Sequence, residues 1–533
     1  MPNDIDSKLI CEKCSIENCE ECQGSKNANI CNKCKVNYIS IYDDNDKKLI
    51  KQCDLPCEIG EDEKCLTCNE TENKCSSCNP LYNLVKGKCL ANFNIKAIYK
   101  SDSLVDHIKL FNKKDLISKV TIINNTSETE IELNDNRYYF NNIGENTVYI
   151  YLKKKTSLSN LFEECNKLIS IYIPSNSLNE YEINIMSNMF KNCINLISVN
   201  ISNIKSNYIK DINNMFMGCT SLQSIDFSFI DFQNVESAEY MFSGCKSLKS
   251  VHLSNFSKIN TLNYMFNGCS SLNSIKFTNF NTENVQKINY MFMDCYSLTS
   301  IDFSNLIFSK VEEMVSTFKN CYSLISLDFS KSNIFKIKSL AQTFYGCYSL
   351  KNINLTYFST SNTYNMGELF YNCTSLVSLD LSSFYTDICQ YMDKMFYNCN
   401  SLTSIILSSN FNTKKVGNMN YMFYNCSSLL SIDFISNFDT SSLILMSNIF
   451  NGCSSLKKID ISKFNTDNCY SHMEYAFSNC TNLEYLDISS IKKYNSYHIF
   501  SFLPKYGTIK YNKALDSYVK KYLPNWEYII ADE

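Results

Sequence analysis

The sequence predicts an α/β repeat solenoid with a parallel strand face, preceded by a small β domain and a cysteine-rich module. Three observations point there. The word MFYNC stands at residues 395–399 and again at 422–426, and variants of it recur thirteen times along the chain. Of 28 cysteines, 13 lie before residue 90 and another 13 fall once per repeat, leaving Cys389 and Cys469. Between the two cysteine classes, short segments alternate apolar and polar residues as half-buried strands do.

Residues 1–90 hold Cys11, Cys14, Cys19, Cys22, Cys31, Cys34, Cys53, Cys57, Cys65, Cys68, Cys75, Cys78 and Cys89, ten of them in five C-x-x-C pairs. The run CLTCNETENKCSSCNPLYNLVKGKC offers too few large apolar side chains to bury a core, so covalent or metal bonds must hold it. Disulfides are one solution and zinc held by four thiolates the other; spacing alone leaves both open. The paired C-x-x-C steps, a Tyr shortly after the second pair and a closing Cys resemble furin-like or growth-factor-receptor-like cysteine-rich repeats. That resemblance implies a disulfide-rich module of the kind found in secreted and surface proteins, with these thirteen cysteines as its disulfide candidates. Thirteen being odd, one thiol is unpaired or bonded outside the module.

Residues 91–154 read as a small β domain and N-terminal cap through FNIKAIYK, VTIINN, TEIEL and NTVYIYLK. Residues 155–505 form the array of 13 units, with the repeat cysteine at Cys165, Cys193, Cys219, Cys245, Cys269, Cys295, Cys321, Cys347, Cys373, Cys399, Cys426, Cys453 and Cys480. The spacing is mostly 26 residues, opening at 28, dropping once to 24 between Cys245 and Cys269, and closing at 27. A near-constant period in this range means stacked supersecondary units, none able to bury its apolar face alone. In Asn263–Ile288 the segment after the cysteine reads L-x-S-I-x-F, the arrangement of a leucine-rich repeat. It predicts Leu272, Ile275 and Phe277 as core and Asn273, Ser274 and Lys276 as outward, with Met265 and Phe266 in a short helix or turn before the cysteine. Gly268 or Asn372 lets the chain turn, and the cysteine acts as a small hydrophobe. Stacked cysteines about 5 Å apart point the same way, which predicts mostly free, buried thiols. A repeated metal or redox site would need a partner His or Cys in every unit, and none recurs.

Residues 506–533 read as a C-terminal cap: GTIKYN as a strand, then a helix with Ala514, Leu515, Tyr518, Val519 and Tyr522 on one face, then NWEYII with the single tryptophan, Trp526.

The units MFMDCYSLTSIDFSNL and MFNGCSSLNSIKFTNFNTENV make residues 157–490 resemble the BspA-like leucine-rich repeats of bacterial and protist surface proteins. The resemblance implies a solenoid used for adhesion, with a protein or glycan as ligand. On the predicted strand face, the outward position before the last core residue is Asp226, Asp302, Asp328, Asp380, Asp433, Asp460 and Asp487, a possible ligand face for a basic partner or calcium. The other reading of these carboxylates is solubility and local hydrogen bonding.

Composition narrows the function classes. Lys plus Arg number 50 against 54 Asp plus Glu, a formal charge of -4, and Lys is dispersed rather than clustered, so nucleic acid is not an expected partner. Arg137 is the single arginine, and the excess of Lys, Asn, Ile, Tyr and Phe reads as the mark of an A/T-rich genome, which discounts aromatic content as a functional signal. Four scattered histidines, with no H-E-x-x-H, G-x-S-x-G or phosphate-cradling loop, predict no catalysis and no cofactor. No stretch approaches about 20 apolar residues and no secretory signal is readable at the start, although a surface location is expected. An export route or an incomplete N-terminus would reconcile the two. The alternative is an intracellular leucine-rich-repeat scaffold with an N-terminal zinc-binding module.

Overall fold

The computed structural model describes residues 93–531 except 125–126, 132–134, 155–156, 175–177, 179–181, 202–203, 205–207, 228–229, 231, 470 and 494–497, together with the backbones of eight short strands before residue 93. Two compact units divide the chain: residues 1–96 with 149–152, and residues 97–148 with 153–533.

In the first unit the strands pair as antiparallel hairpins. Cys19–Cys22 runs against Cys31–Cys34, with Cys19 opposite Cys34 and Cys22 opposite Cys31. Cys65–Asn69 runs against Lys74–Cys78, with Cys65 opposite Cys78 and Cys68 opposite Cys75. The side chains of all thirteen cysteines from Cys11 to Cys89 lie outside the described residues, and so does the choice between disulfides and zinc.

The larger unit is a β-solenoid. The strands read as the small β domain and N-terminal cap lie in a six-stranded sheet, ordered Ser127–Glu130, Ile117–Asn124, Gly144–Leu152, Ile95–Ser101, Leu168–Tyr172 and Ser198–Asn200. The last two are the strands of the first repeats, so this sheet seals the start of the stack by hydrogen bonding.

Helix is nearly absent, which corrects the α/β expectation. The segment around Met-Phe is a chain of turns in every repeat, and the one α-helix among the described residues, Asp516–Tyr522, lies in the closing segment. Each repeat turns twice through the left-handed region, once just before the Met-Phe pair and once just before the cysteine. In the unit ending at Cys399 these residues are Lys394 at φ 53° and Asn398 at φ 58°; in the unit ending at Cys269 they are Tyr264 at 56° and Gly268 at 72°. Two such residues four apart reverse the chain too sharply for an α-helix to begin.

What runs without a break is the hydrogen bonding between these turns. The Phe190 N–H donates to the Met215 carbonyl, Phe216 to Met241, Phe292 to Thr317 and Phe423 to Ile449, at 2.8–2.9 Å, and the same bond joins every neighbouring pair from Phe162 to Phe477. The Phe rings of successive units stack with centroids between 5.2 and 6.3 Å. The parallel strand ladder, by contrast, is broken into Ser224–Asp226 with Ser250–Phe256 and Ser274–Phe280, then Ser326–Asp328 with Asn352–Asn354, then Ser378–Leu381 with Ser404–Leu407. Leu272 is buried as expected, while Ile275 and Phe277 are half-buried.

The stack runs past the last cysteine. His498 and Phe502 repeat the left-handed pair at φ 63° and 58°, and the Phe477 and Asn479 N–H groups donate to the Ile499 and Ser501 carbonyls. Thr508–Asn512 then continues the final sheet in parallel, and Glu527–Ala531 adds to it. Trp526 is buried with its indole N–H donating to the Pro504 carbonyl at 2.9 Å, and Gly507 lies under the ring, where a Cβ would meet it at 2.9 Å. Of the helical face expected here, Leu515 and Val519 are buried, whereas Ala514 and Tyr522 are exposed.

Candidate functional site

The seven aspartates occupy one register position in the period, and five of them are bonded to the backbone two residues on. Asp302 accepts the Ser304 backbone N–H at 2.9 Å, Asp328 that of Ser330 at 2.8 Å, Asp380 that of Ser382 at 2.9 Å and Asp460 that of Ser462 at 3.1 Å. Each carboxylate thereby holds the turn that follows its strand, the backbone-mimicking role of Asp two residues ahead of a free N–H. The Ser304 and Ser330 N–H groups hold the Asp302 and Asp328 carboxyls below the ordinary carboxylate range. Asp460 is lowered too: partial burial opposes this, and the Ser462 hydroxyl and N–H outweigh it.

Two of the aspartates have partners on the strand face: Asp226 lies 3.4 Å from His252 of the next turn, and Asp460 lies 3.4 Å from Lys458 on its own strand. Asp487, 4% exposed at its side chain, is consumed by Lys510 at 3.4 Å and by Ser489. Asp302 lies outside any strand and Asp433 heads a 3-10 turn, Asp433–Asn437, where the sequence predicts a strand. Among the described residues no three of His, Cys, Asp and Glu are grouped to hold a metal ion.

The repeat cysteines are all buried and free. From Cys193 onward each thiol also has a partner that the sequence did not reveal. The Cys193 S–H donates to the Phe162 carbonyl of the preceding turn at 3.0 Å, Cys295 to Phe266 at 3.2 Å, Cys480 to Phe450 at 3.2 Å, and the intervening cysteines likewise. Burial pushes the Cys193, Cys399 and Cys480 thiols up to about 12. Such thiols are not nucleophiles at neutral pH. Cys389 and Cys469 fill a different core position, closing a turn onto the buried Thr386 and Thr466 carbonyls as Val285 does onto Thr282.

The exposed chemistry gathers elsewhere, in an open groove of about 530 Å³ where three successive turns leave their strands. Phe335, Tyr357 and Tyr385 line it, 46%, 72% and 41% exposed. Between them stand Asn333, Asn354, Thr356, Asp380, Ser382 and Ser383. No Lys, Arg or His lines the groove. Tyr357 is held at φ 63°, a left-handed position ten residues after Cys347; the equivalents after Cys245 and Cys269 are Asn255 and Asn279, residues that tolerate it. Among the described residues Tyr357 has neither hydrogen-bond nor ring partner for its side chain. The sequence reading passed over it by discounting aromatic residues; a Tyr standing at an Asn position was the available signal.

With fold and groove in view, comparison with known proteins places the chain. A family described as "Mycoplasma protein of unknown function, DUF285" matches residues 156–274, 249–348, 313–429 and 404–518. The chain belongs to this family. Its matched segments overlap and together span the whole stack of turns. No curated protein matches the chain. Among solved structures it is similar to a leucine-rich repeat protein from Bacteroides ovatus, at 18% identity over 80% of this chain and 100% of that one, with a TM-score of 0.43. It is also similar to a leucine rich cell surface protein from Faecalibacterium prausnitzii, at 19% identity over 72% and 85% of the two chains, TM-score 0.32. A third likeness is to a leucine-rich repeat protein from Eubacterium ventriosum, at 15% identity over 56% and 94%, TM-score 0.31.

Proposed function

We propose that the protein is a non-enzymatic binding protein of the cell exterior, recognising a protein or glycan ligand by contact, as the resemblance to BspA-like surface repeats implies. One observation carries this reading. The groove around Tyr357 leaves three aromatic rings and a set of planar polar groups open to solvent. Exposed aromatics beside unspent hydrogen-bonding groups are the composition of a recognition surface. Among the described residues no helix is long and apolar enough to cross a membrane.

The test is saturable binding of the labelled full-length chain to intact cells, read by flow cytometry, before and after protease or mild periodate treatment of the cells. Saturable binding removed by either treatment is expected. Signal that rises linearly with concentration on every cell type sinks the proposal.

A second reading has its own observation. The hairpin pairs Cys19 with Cys34 and Cys22 with Cys31 in backbone register, and the C-x-x-C pairs it joins are those that the zinc alternative needs. Thiol mapping on the unreduced native protein separates them: protection that survives a chelator favours the exterior protein, and protection released by a chelator favours an intracellular scaffold.

A further inference from the structure

We infer that the groove around Tyr357 is a subsite for an uncharged oligosaccharide. The inference deepens the binding reading above and rests on it. Three features of the groove select this ligand class.

The first is the aromatic set. Phe335, Tyr357 and Tyr385 come from three consecutive turns, 14, 10 and 12 residues after Cys321, Cys347 and Cys373, and line one groove. Among the described residues the Tyr357 ring stacks on no other ring, so its face is open to the apolar C–H face of a pyranose. The second is the polar set between the rings. Asn354 spends its Oδ1 on the Thr356 N–H and Asp380 its Oδ1 on the Ser382 N–H. The Asn354 amide N–H groups and the second Asp380 oxygen are left facing the opening. Vicinal sugar hydroxyls, each donor and acceptor at once, satisfy such planar groups in pairs. The third is charge. Asp380 is the one ionisable acid of the lining and no cation accompanies it, so a sulfated or uronate chain would meet repulsion without compensation.

The backbone supplies a fourth argument. A Tyr in the left-handed region costs energy that Asn would not, and here the strained residue makes no contact that repays it within the protein. Strain of this kind, where the turns after Cys245 and Cys269 use Asn255 and Asn279, is explained by what the ring does for a ligand.

The experiment uses the full-length chain and isothermal titration against cellotetraose, mannotetraose and N-acetylchitotetraose, with heparin and polygalacturonate as charged probes. The variants are Tyr357→Asn, which installs the residue that holds this left-handed position after Cys245 and Cys269, Tyr385→Ala, and Tyr364→Ala as an exposed aromatic outside the groove. The expected result is binding of at least one neutral tetraose, weakened about tenfold or more by Tyr357→Asn and by Tyr385→Ala. Tyr364→Ala leaves it unchanged, and Tyr357→Asn melts no lower than the parent, so its loss of binding is not a loss of fold. Tetraose binding indifferent to Tyr357→Asn and Tyr385→Ala overturns the assignment of the groove. Binding to heparin or polygalacturonate in preference to the neutral chains overturns the ligand class. Saturable binding to cells with no affinity for any tetraose overturns the glycan inference while the broader binding reading stands; absence of both removes the two together.

Discussion

At the scale of single residues, the repeat cysteine is the most informative. As a small hydrophobe it could be replaced by Ala or Val, yet the structure gives its S–H a carbonyl acceptor on the preceding turn, a bond neither can make. The thiols therefore couple stability to pH. Folded Cys193, Cys399 and Cys480 titrate near 12, against about 8.5 for an unfolded thiol. With the folded value raised, the native state keeps protons that the unfolded chain loses. The stabilisation is complete below about pH 8.5 and is lost as pH rises toward 12, by up to about 1.4 kcal/mol per thiol per pH unit. Urea midpoints measured from pH 7 to 10.5 should stay level to about pH 8 and then fall steeply. A flat profile would show that these thiols are not protected by burial. In the same window, alkylation of residues Cys165 to Cys480 should wait for unfolding.

At the scale of one repeat, the decisive element is the left-handed residue before the cysteine. Asn398 holds that conformation and also donates its side-chain amide to Asn372 Oδ1 at 2.9 Å, while Asn425 donates in turn to Asn398 Oδ1 at 3.0 Å. Asn398→Gly keeps the backbone and loses the amide ladder; Asn398→Ala loses both. Chemical denaturation should find Asn398→Ala less stable than the parent by about 2 kcal/mol and Asn398→Gly by about 1 kcal/mol. Equal losses would mean that the backbone conformation carries no cost. This is also where the sequence was legible: Gly or Asn before eleven of the thirteen repeat cysteines, at a fixed place in the period, can be read as a turn that needs positive φ. The period and the Phe positions were legible for the same reason, because repetition averages away local noise. The broken strand ladder was not, since Ser-Ile-Asp reads alike in the paired strand Ser224–Asp226 and in the unpaired stretch 300–302. Nor was the turn at 498–503, where Leu503 stands in the cysteine's place and the guiding letter is missing. The aspartate face was legible as a pattern, but the turn each carboxylate holds was not, because a carboxylate bonded to its own turn looks in sequence like one that awaits a ligand.

At the scale of the whole molecule, each turn touches only its neighbours and every junction repeats the same amide-to-carbonyl and Phe-to-Phe contacts, so stability is close to a sum over junctions. From Cys269 to Cys399 the period is a constant 26 residues, which makes whole turns interchangeable there. Deleting residues 296–321 joins Cys295 to Tyr322, places Tyr322 where Tyr296 stood, and sets Phe292 against Phe344 in place of Phe318. The shortened chain should fold, keep the far-UV spectrum per residue, and unfold with a slightly smaller denaturant slope as less surface is exposed. Deleting only residues 296–308 puts the Phe and cysteine positions out of phase and should give no cooperative transition. Deleting residues 348–373 makes the same cut two periods later but removes Tyr357 with its turn, so that chain should fold while losing any ligand that the parent binds through the groove. If the in-phase deletions unfold as badly as the out-of-phase one, the turns are not independent, and stability resides in the caps at the two ends rather than in the repeated junction.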